Sequence, residues 1–413
     1  MAESGKTATK LAVIGLGGRG RSLLKLLLGM EDVEIPAICD VYEDRRQMGI
    51  ELVEEAGGKA EDYADYKQLL ARDDLQGVII ATTWNTHAEI AIAAMRAGKY
   101  AGIEVGGAAS LEECWELVRT SEQTGLPCML LENCCYGRDE LAVLNIVKQG
   151  LLGELIHCQC GYQHDLRDEV ALGEQNRHNR FRNYLNRNGE LYPIHGLGPI
   201  SKCLDINRGN RLLTLTSMST KARGIRQWAV DHLGEQDPIA KLEFAQGDIV
   251  TTMIKCAHGE TIQLIHDTTL PRPYSRAGRV QGTKGLWMED NNSIHIEGRS
   301  PAHQWESFDG YREQYDHPIW KQYQEEGVRE GHGGMDYLVL RAFVESIKNG
   351  TDTPIDVYDT AVWMAITVLS EQSIVLGSAP VSIPDFTKGK WINRTPGPAS
   401  RYSLEKIDES LFQ

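Results

Sequence analysis

The first 150 residues alternate short apolar runs with longer stretches of helical periodicity. Runs such as 11–15 and 33–39 are brief and continuously apolar, which is typical of buried parallel strands. Between them, apolar residues recur at the spacing of amphipathic helices, and Ser110 followed by Glu113 predicts a capping box. The alternation predicts an α/β domain with a doubly wound parallel sheet over residues 1–150.

The pattern changes after Gly153, where short segments of alternating apolar and polar residues follow one another. They predict a second, α+β domain over residues 151–413, with an open, mainly antiparallel sheet, C-terminal helices and an irregular tail. Residues 165–190 are rich in Asn and Arg and are predicted as an irregular loop, a candidate lid. The predicted strands are 154–162, 211–220, 240–244, 249–256, 261–267, 279–282, 285–289 and 293–297.

The composition of the chain limits the classes of molecule that we expect it to bind. The chain has 413 residues and a net charge of −15, which argues against nucleic acid or an anionic membrane surface as partner. The sequence has no long apolar stretch and no signal-peptide core, so we expect a cytoplasmic protein unless a signal has been removed. The nine cysteines show no zinc spacing and favour reduced thiols, and no metal site is expected.

A glycine loop lies between the first predicted strand and helix. Gly15, Gly17 and Gly20 form a GxGxxG pattern with Arg19 inside it. In this context Gly15 permits a tight turn, Gly17 lets the backbone approach a pyrophosphate, and the helix N-terminus stabilises negative charge. The loop therefore predicts a dinucleotide cofactor.

Asp40 follows the second predicted strand, 20 residues after Gly20. A carboxylate at this position accepts a hydrogen bond from a ribose 2′-hydroxyl and repels a 2′-phosphate, so NAD is favoured over NADP. Arg45 and Arg46 are expected to lie too far along the next helix to grip a phosphate. A helix cap is the alternative role for Asp40.

Polar and aromatic residues follow the next three strands, whose carboxyl ends face the cofactor crevice of such a sheet. Glu104 and Glu132 are predicted to be buried there, and we favour cofactor contacts for them because buried carboxylates need partners. For His87, contact with the nicotinamide ribose and exposure at a helix start are both open. The candidate cofactor residues at this rim are Trp84, His87, Glu104, Val105 and Asn133.

Tyr192 and His195 offer two proton-transfer groups one helical turn apart. Histidine titrates near neutrality and can both take and return a proton. Together with a nicotinamide cofactor, the pair predicts transfer of a hydride and a proton at one carbon. His164 and His332 are expected to have structural or supporting roles.

These residues resemble the Gfo/Idh/MocA superfamily, whose members combine a dinucleotide-binding domain with an open mixed sheet. Ordinary members carry Glu-Lys-Pro at the fifth strand, whereas this chain has Glu104, Val105 and Gly106. Ordinary members also place Asp four residues before the catalytic His, where this chain has Leu191. Both departures argue against a plain alcohol dehydrogenase.

A closer resemblance is to glycoside hydrolase family 109, known as NAD-dependent α-N-acetylgalactosaminidases. It rests on segments 104–105, 131–137, 162–167, 188–199, 272–276 and 331–336, of which 188–199 reads Asn-Gly-Glu-Leu-Tyr-Pro-Ile-His-Gly-Leu-Gly-Pro. The resemblance implies cofactor contacts from Arg19, Gly20, Asp40, Trp84, His87, Glu104, Val105 and Asn133. It implies sugar contacts from Tyr162, Arg180, Tyr192, His195 and Tyr274, with Arg182 as an alternative to Arg180.

The resemblance further implies a retaining hydrolysis by oxidation at C3, elimination, addition of water and reduction, with NAD restored in each turnover. Three catalytic residues are assigned: His195 with Tyr192 at O3, and Tyr162 at C2, the order of the tyrosines remaining open. A tyrosine, with a pKa near 10, needs a lowered value to act as a base, which NAD⁺ and a nearby arginine would provide.

Two alternatives compete with the glycosidase: an NAD-dependent sugar or cyclitol dehydrogenase that releases NADH, and a non-catalytic sensor on the same fold. The expected partner is a small carbohydrate or glycoconjugate substrate. The exposed face of the open sheet also favours a homo-oligomer.

Overall fold

The computed structural model describes residues 8–329, 331–394, 397, 400–407 and 409–412. Its first sheet contains β1 (Thr9–Ile14), β2 (Val33–Cys39), β3 (Glu61–Tyr63), β4 (Gly77–Ile80), β5 (Tyr100–Ile103) and β6 (Cys128–Leu130). These strands are parallel and lie in the order β3-β2-β1-β4-β5-β6. The predicted doubly wound sheet is confirmed, and its strand order reverses between β1 and β4.

Helices connect the parallel strands. The first of them buries Leu23 and Leu27, which recur at helical spacing and pack towards the sheet. The predicted capping box is confirmed, since Ser110 Oγ accepts a hydrogen bond from the Glu113 N–H and the Glu113 carboxylate accepts one from the Ser110 N–H. The helices are α1 (Gly18–Leu28), α2 (Glu43–Glu55), α3 (Tyr66–Leu70), α4 (Trp84–Arg96), α5 (Leu111–Thr124) and α6 (Arg138–Lys148).

The second sheet is open and mainly antiparallel, as predicted. In the described part of the chain it has nine strands in the order β14-β13-β12-β11-β7-β10-β9-β8-β15, and only β7 and β10 pair in parallel. Its strands are β7 (Leu155–Gln163), β8 (Leu212–Ser219), β9 (Ile249–Cys256), β10 (Thr261–Asp267), β11 (Arg279–Gly282), β12 (Gly285–Met288), β13 (Ser293–Ile296), β14 (Glu306–Ser307) and β15 (Val381–Ser382).

The remaining helices belong to the region after residue 150. They are α7 (Arg167–Ala171), α8 (Arg180–Asn186), α9 (Ile194–Cys203), α10 (Gly224–Leu233), α11 (Phe308–Gln314), α12 (Pro318–Glu326), α13 (Met335–Asn349) and α14 (Val357–Val375). No described helix is both long and apolar enough to cross a membrane.

Two sequence predictions in this region are wrong. The expected strand 240–244 is absent from the described structure, and a 3-10 turn, Ile239–Lys241, lies at the start of this segment. At its end, the Ala245 and Gln246 N–H groups donate to the carbonyls of Leu185 and Tyr184 in α8. These backbone groups are therefore satisfied by a helix end instead of a ladder.

The expected irregular loop over 165–190 contains α7 and α8 instead. Both helices are too short for a clear helical period, and each is held by a buried apolar anchor. Phe181 packs edge-on against Phe244 at 5.9 Å, and Tyr184 Oη lies 2.6 Å from Oγ1 of Thr268, the residue that follows β10. The tertiary contacts, and not local propensity, define these helices.

The helices α13 and α14 link the two sheets. Phe343 and Ile347 of α13 pack against the parallel sheet, where they lie beside Gly102 and Gly77. The other side of the junction is α14, whose Ser373 Oγ accepts a hydrogen bond from the Ser217 N–H of β8 at 2.9 Å. The carboxyl ends of the parallel strands therefore face the inner side of the mixed sheet across one crevice.

Candidate active site

The glycine loop forms an open cradle at the start of α1. Gly15 has φ +95°, and a Cβ there would lie 2.6 Å from the Ala81 carbonyl carbon. A Cβ on Gly20 would lie 1.8 Å from the Gly15 oxygen, so the turn requires both glycines. At Gly17 the nearest neighbour is the distant end of Arg45, at 3.6 Å. The residues present therefore fit a dinucleotide pyrophosphate against the helix N-terminus.

Asp40 is held rigidly at the end of β2. Its Oδ2 accepts a hydrogen bond from the Leu16 N–H at 2.7 Å, and its Oδ1 accepts one from the Tyr42 N–H at 2.9 Å. The expectation that Arg45 lies too far away is wrong, because Arg45 occupies the first turn of α2 and its Nη1 is 4.0 Å from Asp40 Oδ2. A carboxylate and a guanidinium therefore stand together at the position expected for a ribose 2′-hydroxyl.

The rim of the crevice carries the predicted cofactor residues. Glu104 Oε1 accepts from Arg19 Nε at 2.7 Å, and its Oε2 accepts from the Val105 N–H at 2.7 Å. His87 is fully buried, so the solvent-facing alternative is wrong. Its Nε2 lies 3.0 Å from the Thr82 carbonyl oxygen, which leaves the buried Nδ1 as an acceptor without a partner among the described residues. Burial lowers the pKa of His87 and keeps the ring neutral.

Trp84 is a predicted cofactor residue that also contacts the aromatic side chains of the predicted sugar site. It begins α4, is buried, and its ring centroid lies 5.6 Å from that of Tyr192. A Cβ on Gly106 would lie 2.4 Å from Trp84 Cδ1. Position 106 therefore requires a glycine, because the indole of Trp84 occupies the space that a side chain would need.

Asp336 joins three elements at this rim, and the sequence analysis missed it. Its carboxylate receives Arg19 Nη1 and Nη2 at 2.6 and 2.8 Å, and Asn133 Nδ2 at 2.8 Å. Burial opposes the charge, but hydrogen bonds from Arg19 and His332 outweigh it and hold the pKa of Asp336 far below its usual range. Two of the predicted cofactor residues are thus oriented by a carboxylate at the start of α13.

Four predicted sugar residues form an aromatic box. Tyr162 lies on β7, and its ring centroid is 4.5 Å from Tyr192, 5.4 Å from His195 and 6.2 Å from Tyr274. Tyr192 precedes α9 instead of sharing its face, since Pro193 is the N-cap, yet the rings of Tyr192 and His195 still meet at 4.9 Å. The structure therefore brings together all four residues that the sequence singled out.

His164 supports this box from one side. Its Nδ1 lies 3.2 Å from Tyr162 Oη, and its ring meets that of Tyr274 edge-on at 5.1 Å. Burial lowers the pKa of His164, with Arg180 adding to the effect. A neutral imidazole beside the phenol can exchange a proton with it.

Arg180 provides the positive charge of the box. Its Cζ lies 5.2 Å from the Tyr192 centroid and 5.7 Å from that of Tyr162, and its Nη1 is 3.0 Å from Glu169. The side chain of Arg182 is 81% exposed, so Arg180 is the arginine that faces the site. Burial raises the pKa of Tyr162 and Tyr192, and Arg180 only partly counteracts this. Burial thus favours the protonated form of both phenols.

His195 is oriented by a carboxylate that the sequence analysis had placed with the cofactor. Its Nδ1 lies 2.9 Å from both oxygens of Glu132, which is fully buried after β6. A carboxylate oxygen accepts hydrogen bonds, so in the neutral imidazole this contact favours the tautomer with the proton on Nδ1 and the lone pair on Nε2. A base with an orienting carboxylate is the arrangement required for general acid–base chemistry. A buried carboxylate at a strand end was the sequence signal for this pair.

Glu132, Cys134 and His195 also form the one cluster of three potential metal ligands found among the described residues. Their polar groups already have partners, because Glu132 Oε1 also accepts from the Cys134 N–H at 2.8 Å. Burial raises the pKa of the Cys134 thiol well above its usual range, which disfavours the thiolate that a metal needs. All nine cysteines are buried free thiols, as packing residues would be.

The fold and the cradle define a protein with a dinucleotide-binding domain and a second domain that supplies proton-transfer groups. Residues 9–131 match the model of the oxidoreductase family with an NAD-binding Rossmann fold. Residues 136–393 match that of the glycosyl hydrolase 109 C-terminal domain. The chain belongs to glycosyl hydrolase family 109.

Individual relatives agree with this assignment. The chain is 47% identical to a glycosyl hydrolase family 109 protein of Stenotrophomonas maltophilia, over 94% of this chain and 91% of the relative. It is 43% identical to an alpha-N-acetylgalactosaminidase of Tannerella forsythia, over 94% of this chain and 88% of the relative. The chain is therefore an enzyme of a glycosidase family with an NAD-binding Rossmann domain.

Solved structures share the fold at low sequence identity. A levoglucosan dehydrogenase in complex with NADH and levoglucosan superposes with a TM-score of 0.70 at 18% identity, covering 92% of this chain and 100% of the other. The myo-inositol dehydrogenase of Lactobacillus casei, in complex with NAD(H) and myo-inositol, gives 0.63 at 15% identity, covering 92% and 98%. At these identities the likeness concerns the fold alone.

Proposed function

We propose that this enzyme is a retaining α-N-acetylgalactosaminidase that holds NAD tightly and restores it in every turnover. The single observation that carries the proposal is the His195–Glu132 pair inside the tyrosine box, one aromatic residue away from the cofactor rim. The family and the activity named for the Tannerella forsythia relative supply the substrate class. The Asp40 carboxylate favours NAD over NADP.

When bound, NAD supplies the acceptor and the donor of a hydride at sugar C3. His195 Nε2 takes the proton of the 3-hydroxyl, and Glu132 stabilises the resulting imidazolium. Tyr192 holds the same oxygen. The C3 ketone acidifies C2, whose proton passes to the Tyr162 phenolate as the C1 substituent leaves with its bonding electrons and takes a proton from solvent. Water then adds its hydroxide to C1 and gives its other proton to solvent, Tyr162 returns a proton that has exchanged with solvent to C2, and His195 returns the proton to O3.

Arg180 makes the tyrosine steps accessible. A phenol is a base only as phenolate, and burial in this box works against that charge. The guanidinium of Arg180 stabilises a phenolate on either tyrosine, and His164 offers a second site for the Tyr162 proton. Tyr274, which is about half exposed, lies at the mouth of the box and positions the sugar.

We also propose that a second copy of the chain covers the open face of the mixed sheet. Met218 and Met253 are exposed there, and their strand partners on the same face are Thr251 and Thr216. A face that exposes two methionines beside threonines suits self-association. A monomeric mass by light scattering would contradict this proposal.

The glycosidase proposal is tested by hydrolysis of an aryl α-N-acetylgalactosaminide in heavy water without added NAD. We expect deuterium at C2 of the released sugar, no accumulation of NADH, and retention of a deuterium label placed at C3. A dehydrogenase would instead accumulate NADH and a keto-sugar. Product that carries only hydrogen at C2 after full conversion would exclude the elimination step.

A further inference from the structure

The segment between α7 and α8, residues 172–179, reaches from the second domain to the cofactor domain. At its tip Arg177 adopts φ +52°, an uncommon conformation for a residue with a side chain. The Arg177 Nη1 lies 2.9 and 3.1 Å from the two carboxylate oxygens of Asp44, in the first turn of α2. Its Cζ stands 4.4 Å from the ring centroid of Tyr42. The two domains are therefore linked directly above the end of β2.

The residues under this link surround the position expected for the adenosine ribose. Arg45 Cζ lies 4.9 Å from the same Tyr42 ring, and Arg45 Nη2 lies 3.5 Å from the Arg177 carbonyl oxygen. Arg45 Nη1 approaches Asp40 Oδ2 at 4.0 Å and stands 3.6 Å from a Cβ placed on Gly17. Two guanidinium groups and a phenol thus enclose the space between the ribose carboxylate and the glycine loop.

We propose that Arg177 completes the adenosine end of the dinucleotide site and that residues 172–179 act as a clamp that retains the cofactor. Guanidinium groups suit the pyrophosphate charge and the ribose oxygens of a dinucleotide. The proposal rests on the proposed function in one respect: an enzyme that restores NAD within each cycle has no need to release it. A dehydrogenase, in contrast, must exchange NADH for NAD after each turnover.

The clamp is continuous with the sugar site. Arg180 begins α8 three residues after Arg177 and packs on Tyr162 and Tyr192. Glu169 of α7 holds this part of the chain, since its Oε1 lies 3.0 Å from Arg180 Nη1 and 3.4 Å from His178 Nε2. A sugar that orders Arg180 therefore also orders the clamp, and bound sugar slows the release of NAD.

The clamp can open for loading because the Arg177–Asp44 pair is exposed. Exposed ion pairs are weak and are screened by salt. We therefore expect loss of the pair to accelerate NAD release by about two- to fivefold. Salt should accelerate release from the wild-type protein more than from a variant that lacks the pair.

The test measures the dissociation rate of NAD from the loaded holoenzyme, by rapid desalting at timed intervals and mass spectrometry of the nucleotide that remains. Arg177→Ala and Asp44→Asn should each release NAD faster, and the double variant should be no faster than either one, because both lose the same pair. Arg119→Ala is the matched control, since it removes a similarly exposed arginine whose partners, Glu112 and Glu116, lie within α5, and it should leave the rate unchanged.

Equal release rates for Arg177→Ala, Asp44→Asn and Arg119→Ala would overturn the clamp. The outcome is independent of the glycosidase proposal. Faster release from a protein that proves to be a dehydrogenase would leave the clamp standing and remove the function. Unchanged release from an active glycosidase would overturn the clamp and leave the proposed function standing. Should Arg177→Ala fail to fold, Asp44→Asn on the surface of α2 gives the same comparison.

Discussion

Nδ1 of His195 lies 2.9 Å from each carboxylate oxygen of Glu132, and the Glu132 side chain is completely shielded from solvent. The carboxylate has a further donor in the Cys134 N–H. These contacts fix the tautomer and the plane of the imidazole. In the proposed mechanism His195 is a base that these contacts orient towards the tyrosine box, and Glu132 acts through it as a positioning residue.

Glu132→Gln should lower kcat by about 10²-fold or more, with a smaller effect on KM, because the amide keeps the shape but cannot stabilise an imidazolium. His195→Ala should lower kcat by about 10²–10⁴-fold. If Glu132 acts only through His195, the double variant should be no slower than His195→Ala alone. Additive losses in a double-mutant cycle would assign Glu132 a separate role.

Tyr162→Phe should stop C2 exchange while still permitting oxidation at C3. The expected result is an absorbance of NADH on the enzyme in a single turnover, without release of the aglycone and without deuterium at C2. Tyr274→Phe is the control, since the exposed Tyr274 only positions the sugar and should mainly raise KM. Normal C2 exchange in a folded Tyr162→Phe protein would assign the C2 base to another group.

Asp40→Ser should weaken the binding of NAD and permit the binding of NADP. The substitution removes the charge that repels a 2′-phosphate, while Arg45, 4.0 Å away, remains to receive it. We expect at least about a tenfold change in the ratio of the two dissociation constants. Adding Arg45→Ala to Asp40→Ser should abolish the gain in NADP affinity. If the gain in affinity persists in the double variant, Arg45 does not contact the phosphate.

Asp336→Asn should destabilise the fold at neutral pH by about 2–3 kcal/mol, because Arg19 loses a buried, doubly bonded partner. The pKa of Asp336 is held below its unfolded value, so this stabilisation is complete above about pH 4 and is lost as the pH falls further. Urea unfolding at pH 7 and pH 3.5 should show a difference between wild type and variant that shrinks in acid.

His332 contributes to stability with a pH dependence opposite to that of Asp336. Its hydrogen bond to Asp336 raises its pKa, so the stabilisation is present at low pH and disappears as the pH rises through the raised value. Because the side chain is largely exposed, His332→Ala should change the free energy of unfolding by less than about 1 kcal/mol. A loss as large as that of Asp336→Asn would contradict this account.

The parts of the site that are local in sequence could be predicted. The glycine loop, Asp40 and the capping box each follow from spacing within one strand–helix unit, where backbone geometry dictates the residue type. The proximity of Tyr192 and His195 was predicted from their spacing of one helical turn, although Tyr192 precedes α9. The strand expected at 240–244 and the loop expected at 165–190 failed because partners elsewhere in the chain decide their structure.

The sequence by itself thus determined the α/β and mixed-sheet architecture, the dinucleotide cradle and the chemical types available for catalysis, because these depend on hydrophobic periodicity and short motifs. Only the tertiary structure decided which of the site residues form pairs. Glu132 and His195 are 63 residues apart, Asp44 and Arg177 are 133 apart, and Arg19 and Asp336 are 317 apart. Such pairs form when two sheets close on one crevice, and the burial of Glu132 and Asp336 then requires each of these carboxylates to find a donor that no local pattern specifies.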